Sequence, residues 1–338
     1  MSEIKPLAGL ERQRLRDVIP LRTPYAVYIF PTNLCNFMCN YCGHSLGLAE
    51  MKKEYDFCAE NMSFDTYKRV IDQLGEFPDK LKVINLTGHG EPLVNRELPE
   101  MIEYARKSGV TQRIETISNA SLLTHELSER LVEAGLDCIR ISLQGLSSAK
   151  YKDVCQRNIN FEKLVDEISY LHKNRRQCQV FVKVMDVALE KGEEEEFYRI
   201  FEPISERMYI EQCRPVYSGV EMTEDMACRD DRYGRKHEPR IVCPLCFYMI
   251  GVHPNGDIAP CETIYKPVTL GNVYEDSILS MWNGKKNREF QRMQLRRERL
   301  QNKGCARCCA PDDVAHPEDV LDEDALELLK KWNQPQYC

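Results

Sequence analysis

The sequence predicts an α/β fold built on parallel strands. Strand-sized and helix-sized hydrophobic patterns alternate six times between residues 26 and 213. Capping and breaking residues such as Ser63, Gly109, Thr124 and Gly135 mark the joins. Consecutive β/α units imply parallel strands linked by right-handed crossovers. Six such strands fit a doubly wound sheet or a partial barrel, and periodicity does not choose between them. The third observation is the cysteines: many of the 16 gather just after the first strand and in the last third of the chain.

Residues 1–24 read as an N-terminal extension. Residues 26–30 form a strand that runs straight into the first cysteines, and residues 46–61 read as a polar loop. Ser63 caps a helix with Phe64, Tyr67, Val70, Ile71 and Leu74 on its apolar face. Residues 83–87 are a strand, and Leu98, Met101, Ile102 and Ala105 make a helical stripe. Residues 113–118 are a strand, and Thr124 caps the helix that follows. Then come strand 138–143, helix 161–172, strand 180–187, an acidic helix over 193–204 and a last strand, 208–213. The α/β body therefore covers residues 25–218. Residues 219–242 are charged and weakly patterned, as a linker is. Residues 243–311 form a small cysteine-rich domain. Residues 312–338 are an acidic tail with a helix over 326–332.

The formal net charge of −7 argues against a basic nucleic-acid face. Apolar runs are strand-sized, too short to cross a bilayer, and residues 1–17 lack the apolar core of a signal peptide. The expectation is a cytoplasmic protein with neither a membrane nor a nucleic-acid partner. Disulfides are rare in that reducing compartment, so clustered cysteines read as metal or iron–sulfur ligands. Isolated ones read as small buried hydrophobes.

Cys35, Cys39 and Cys42 are spaced Cys-x3-Cys-x2-Cys on a loop after a strand. Three thiolates on one loop can hold three irons of a [4Fe-4S] cluster and leave the fourth open. A zinc site completed by His44 is the alternative. The segment PTNLCNFMCNYC resembles the radical SAM superfamily, and later segments match it in order. Gly88-His89-Gly90-Glu91-Pro92 is similar to the GGEP motif, with His89 in place of its second glycine. Ser118-Asn119-Ala120 stands where Thr-Asn-Gly is common, and Ile139-Arg140-Ile141-Ser142-Leu143 is similar to the ISLDG segment. Asp186 and its neighbours match the fifth-strand motif only loosely.

The resemblance covers residues 25–213. It implies a partial (β/α)6 barrel with the catalytic cluster at the carboxyl ends of its strands. S-adenosylmethionine (SAM) would bind near Tyr41, Gly90, Glu91, Asn119 and Ser142, with Glu91 at its amino group and Ser142 at its ribose. Taken alone, Glu91 also fits a plain helix-start acid and Ser142 a plain strand hydroxyl. The family reductively cleaves SAM to a 5′-deoxyadenosyl radical that takes a hydrogen atom from substrate. A flavodoxin- or ferredoxin-type protein would supply the electron.

In the last third, Cys243-Pro244-Leu245-Cys246 precedes Gly256 and Cys261, and Cys305-x2-Cys308 is followed by Cys309. With Leu270-Gly271-Asn272-Val273, Ser277-Ile278 and Met281-Trp282, this resembles the SPASM or twitch extension of the same superfamily. No further cysteine follows Cys309 until Cys338, which favours the shorter twitch form with one auxiliary [4Fe-4S] cluster. The resemblance implies Cys243, Cys261, Cys305 and Cys308 as ligands. Cys246 satisfies the opening spacing as well as Cys243, and both could approach. A zinc ribbon is the alternative.

An auxiliary cluster can accept an electron. The resemblance therefore points to oxidation of a hydroxyl-bearing carbon of a sugar or cyclitol, as in 2-deoxy-scyllo-inosamine dehydrogenase-like enzymes. Radical epimerisation, with Cys213 or Cys228 returning a hydrogen, and maturation of a ribosomal peptide are the alternatives. Candidate catalytic groups near strand ends are Cys213, Glu211 and Asp186, with Lys183, Arg214 and Tyr217 beside them.

Overall fold

The computed structural model describes residues 2–5, 12–220, 231–236, 239–314 and 316–334. Cys228 lies outside them. The strands are β1 (Glu3–Ile4), β2 (Ala26–Ile29), β3 (Val83–Leu86), β4 (Ile114–Ser118), β5 (Cys138–Leu143), β6 (Gln179–Met185), β7 (Arg207–Glu211), β8 (Met249–Val252), β9 (Asp257–Ala259) and β10 (Gly271–Asn272). They make one sheet in the order β1-β7-β6-β5-β4-β3-β2-β8-β9-β10. Strands β2 to β7 lie side by side in chain order, all parallel. That order has no reversal point, so the doubly wound alternative is excluded. The fold is the partial (β/α)6 barrel.

The sheet continues past both ends of the six. β1 pairs parallel with β7, and β8 pairs parallel with β2, Ala26 opposite Met249 through Ile29 opposite Val252. The cysteine-rich segment thus begins as an added strand of the barrel sheet.

The helices are α1 (Leu15–Val18), α2 (Gly47–Tyr55), α3 (Phe64–Leu74), α4 (Leu98–Ser108), α5 (His125–Glu133), α6 (Ser148–Cys155), α7 (Phe161–Asn174), α8 (Glu194–Phe201), α9 (Ile278–Asn283), α10 (Lys285–Leu295), α11 (Lys303–Ala306), α12 (Ala310–Asp313) and α13 (Ala325–Trp332). Ser63 and Thr124 cap as expected, accepting the backbone N–H of Thr66 and Leu127, each at 3.1 Å. Asn160 caps α7 in the same way, at 2.9 Å from the N–H of Lys163. Tyr67, Ile71, Met101, Ile102, Leu131, Ile168 and Phe197 seal the barrel core. Burying each such side chain contributes roughly 1.5–3 kcal/mol.

Three local expectations are corrected. Residues 46–61 are not a simple loop: α2 forms there because Met51 and Tyr55 bury against Phe57 and Ile264. The short helix α6 follows Gly145, where the sequence reading had no element. The last barrel strand stops at Glu211, so Cys213 lies beyond it. Among the described residues, no helix is long and apolar enough to cross a membrane.

Candidate active site

The loop carrying Cys35, Cys39 and Cys42 is fixed from both sides. The N–H groups of Met38 and Asn40 donate to the carbonyls of Cys155 and Val154, at 3.1 and 2.9 Å, which satisfies the free end of α6. From the other side, Glu91 N–H donates to the Leu34 carbonyl at 2.8 Å. Gly90 makes that approach possible. A Cβ there would stand 2.4 Å from the Leu34 oxygen and 2.8 Å from Thr32 O. Asn119 completes the frame, donating from Nδ2 to Asn36 Oδ1 at 2.9 Å.

Glu91 is buried and held by three donors. Its Oε1 accepts from Ser118 Oγ at 2.6 Å and Leu93 N at 3.0 Å, and its Oε2 accepts from Asn119 N at 2.7 Å. Four lone-pair sites on a carboxylate leave room for one more donor. Tyr41 lies behind Cys39 and Cys42, its hydroxyl buried beside Gln144 without a well-formed hydrogen bond. Ser142 is half-buried and opposite Lys183 on β6, two positions beyond Arg140 and so on the same inward face. Burial pushes the Cys35 thiol up to about 12 and the Cys39 thiol well above its ordinary range. Free, these thiols hold their protons, so metal binding must displace them.

Below this loop a cavity of about 860 Å³ runs through the barrel. Tyr28, Asn85, Glu115, Arg140, Lys183 and Glu211 line it from successive strands. Arg232, Tyr233, Glu262, Cys308, Cys309 and Asp313 close its other side. Most of its charges pair. Glu115 bridges Arg113 and Arg140, Lys183 Nζ donates to Glu211 Oε2 at 2.7 Å, and Arg232 Nε reaches Asp313 Oδ2 at 3.1 Å. Burial opposes charge on Glu211, but Lys183 and Arg232 hold its carboxyl below the usual range. Glu262 differs: its Oε2 is buried with no hydrogen-bond partner, and burial pushes its pKa up. Asn85 Oδ1, His89 Nε2 and Arg140 Nε, on other wall residues, are likewise buried without partners.

A second, smaller pocket lies across the wall formed by Cys308. Cys243, Cys246, Cys261, Cys305 and Cys308 all line it. Gln294 Nε2 donates to Cys305 Sγ at 3.6 Å, and Ala310 N–H to Cys308 Sγ at 3.4 Å. Arg299 Nη1 ties the carbonyls of Cys305 and Cys308 at 3.1 and 3.0 Å. Among the described residues, no three His, Cys, Asp or Glu side chains converge as a single ion requires. Thiols spread around a pocket suit a polynuclear cluster, which gives each its own iron.

The Radical SAM superfamily model matches residues 29–202, just over half of the chain. The chain belongs to the radical SAM superfamily. The SPASM model, an iron-sulfur cluster-binding domain, matches residues 243–309. The tungsten-containing aldehyde ferredoxin oxidoreductase cofactor-modifying protein of Pyrococcus furiosus is 30% identical over 124 residues, 37% of this chain and 32% of that protein. PqqA peptide cyclase of Bradyrhizobium diazoefficiens is 28% identical over 165 residues, 47% of this chain and 40% of that protein. The chain therefore spans less than half the length of these curated relatives. Solved structures share the fold. BtrN in complex with AdoMet and 2-DOIA has a TM-score of 0.54 at 16% identity, covering 84% of this chain and 92% of that one. The anSMEcpe structure with bound AdoMet has a TM-score of 0.59 at 14% identity, covering 93% and 94%.

As a radical SAM enzyme with a SPASM segment, the chain uses SAM, a [4Fe-4S] cluster and an auxiliary iron–sulfur site, and both zinc alternatives fall. The residues present fit these groups. Three thiols sit on one rigid loop, and five surround the second pocket.

Of the candidate catalytic groups, Glu211 lines the cavity, while Asp186 and Cys213 do not. Asp186 Oδ1 instead accepts the N–H groups of Val187 and Cys213, each at 2.8 Å. The Cys213 thiol is buried. The sequence reading missed Glu262 and Arg232. Glu262 carried a usable signal, an acid directly after Cys261. Arg232 sits in the charged stretch read as linker and gave none.

Proposed function

We propose that this radical SAM enzyme is a dehydrogenase that oxidises a hydroxyl-bearing carbon of a sugar or cyclitol. The observation that carries the reading is the wall shared by the two sites: Cys308 and the unpaired Glu262 both face the barrel cavity. Cys35, Cys39 and Cys42 hold the catalytic cluster, with Tyr41, Gly90, Glu91, Asn119 and Ser142 around SAM. Cys243, Cys261, Cys305 and Cys308 hold the auxiliary cluster. When bound, SAM on the catalytic cluster supplies hydrogen-atom abstraction, and the auxiliary cluster supplies an electron acceptor.

Oxidising a carbinol removes one hydrogen atom, one electron and one proton. Glu262 takes the proton: it lines the cavity, and its buried Oε2 has no hydrogen-bond partner. Lys183 and Arg232 hold the Glu211 carboxyl below the usual range against the effect of burial, which suits binding rather than proton transfer. Tyr28, Asn85, Arg140, Lys183 and Glu211 line the cavity with the mixed donors and acceptors that a ring of hydroxyls satisfies. A ferredoxin- or flavodoxin-type protein donates the first electron.

The test is anaerobic turnover of a panel of sugars, cyclitols and cysteine- and serine-containing peptides with SAM and a reductant, read by mass. Loss of two hydrogens with release of 5′-deoxyadenosine supports the reading. Unchanged mass with one solvent deuteron gained means epimerisation, and a cross-linked or oxidised peptide as the sole product means maturation; either overturns it. Glu262→Gln should lower kcat for oxidation by about 10²–10⁴-fold while 5′-deoxyadenosine still forms. Full activity in this variant would remove Glu262 from the role.

A further inference from the structure

The cavity continues to the amino-terminal end of the barrel. Lys82, just before β3, and Thr87, just after it, both line it. At about 3.3 Å per residue they stand roughly 16 Å apart, farther than one sugar ring extends. Arg113, just before β4, lines the same end, and β3 and β4 are neighbours with Ile84 opposite Ile114. The charges at this end do not balance. Arg12 pairs with Asp319 at 2.8 Å and Arg207 with Glu3 at 2.9 Å, while Glu206 is taken by His172 and Arg175. Arg113 and Arg140 share a single carboxylate, Glu115. Among the described residues, no carboxylate pairs with Lys82: its Nζ lies over the Tyr25 ring, 3.7 Å from the centroid. Burial and the Arg12 charge hold the Lys82 pKa below the usual range. Glu211 and Asp313 have their own cations, Lys183 and Arg232.

We propose that the substrate carries an oxyanion, a phosphate ester or a carboxylate, that docks at this end against Lys82 and Arg113. A part-buried cation without a counter-charge costs stability, and an incoming anion removes that cost. Two guanidinium groups that share one carboxylate keep N–H donors to spare, and their planar fork suits phosphate and carboxylate oxygens. The catalytic thiols follow β2 at the carboxyl end of the barrel. The docked group therefore sits on a part of the substrate remote from the reacting carbon. Lys82 is a specificity residue: by holding that group it fixes how deep the ring sits and which carbon meets the radical.

The proposal rests on the sugar or cyclitol reading, and the test separates the two. Isothermal titration calorimetry of the reconstituted full chain with SAM measures binding without turnover. The probes are glucose, glucose 6-phosphate, glucuronate, inositol and inositol 1-phosphate. An anionic probe should bind about 10–100-fold tighter than its neutral parent, and the gap should narrow as salt is raised. The gain of glucose 6-phosphate over glucuronate, or the reverse, tells phosphate from carboxylate. Lys82→Met should remove about 10-fold of that preference, and Lys82→Arg should restore it. Circular dichroism checks that each variant folds, and Lys82→Gln replaces Lys82→Met if it does not. Equal affinity for neutral and anionic probes, or an undiminished preference in Lys82→Met, would overturn the oxyanion site and leave the sugar or cyclitol reading standing. Binding of none of the five sinks that reading and the proposal with it.

Discussion

At Gly90 two loops touch backbone to backbone, and the catalytic thiols depend on that contact. A methyl group there meets the Leu34 and Thr32 carbonyl oxygens, which cannot rotate away as a side chain could. Gly90→Ala should therefore cost about 1–3 kcal/mol of stability and weaken iron retention on Cys35, Cys39 and Cys42. Thermal melting and iron analysis check this, and a variant that melts and binds iron like the parent would contradict it. The motif was legible in the sequence, but this packing reason was not, because it comes from a loop some 55 residues away. Glu91 is similar: the motif resemblance singled it out, while its bonds to Ser118, Asn119 and Leu93 needed coordinates. Glu262 was overlooked although it follows Cys261 directly, since nothing local says that its carboxylate lacks a partner.

The elements were legible wherever their signals were local. Ser63 and Thr124 announce their helices by capping, and β2 to β7 show apolar runs of strand length. Those depending on distant partners were not. α2 has a polar face and hides two anchors, Met51 and Tyr55, whose partner Ile264 is remote. β1 is two residues long and exists through pairing with β7. α13 was visible as a helix, but not its task. Its Trp332 is buried edge-on against Phe247, ring centroids 5.5 Å apart, and donates from Nε1 to Gln291 Oε1 at 3.0 Å. Gln291 in turn holds the carbonyl of Cys246. Trp332→Ala should cost about 3–5 kcal/mol and loosen the auxiliary site before the catalytic one. Thermal melting followed by iron release would show it; simultaneous loss of both sites would contradict the order.

Across the whole molecule, the barrel and the cysteine-rich segment share one sheet. β8 extends it from β2, and Cys308 lines both the barrel cavity and the smaller cysteine-lined pocket. An ion pair reinforces the closure, with Arg232 Nη1 3.8 Å from Glu211 Oε2 on β7. The sequence reading separated body, linker and small domain because composition changes there, and sheet pairing over more than 200 residues leaves no local trace. The central claim is that this sheet carries two clusters, one to generate a radical and one to receive an electron. Iron and acid-labile sulfide analysis of the anaerobically reconstituted full chain tests it most directly. The account predicts about eight irons and eight sulfides per chain. About four of each would contradict it.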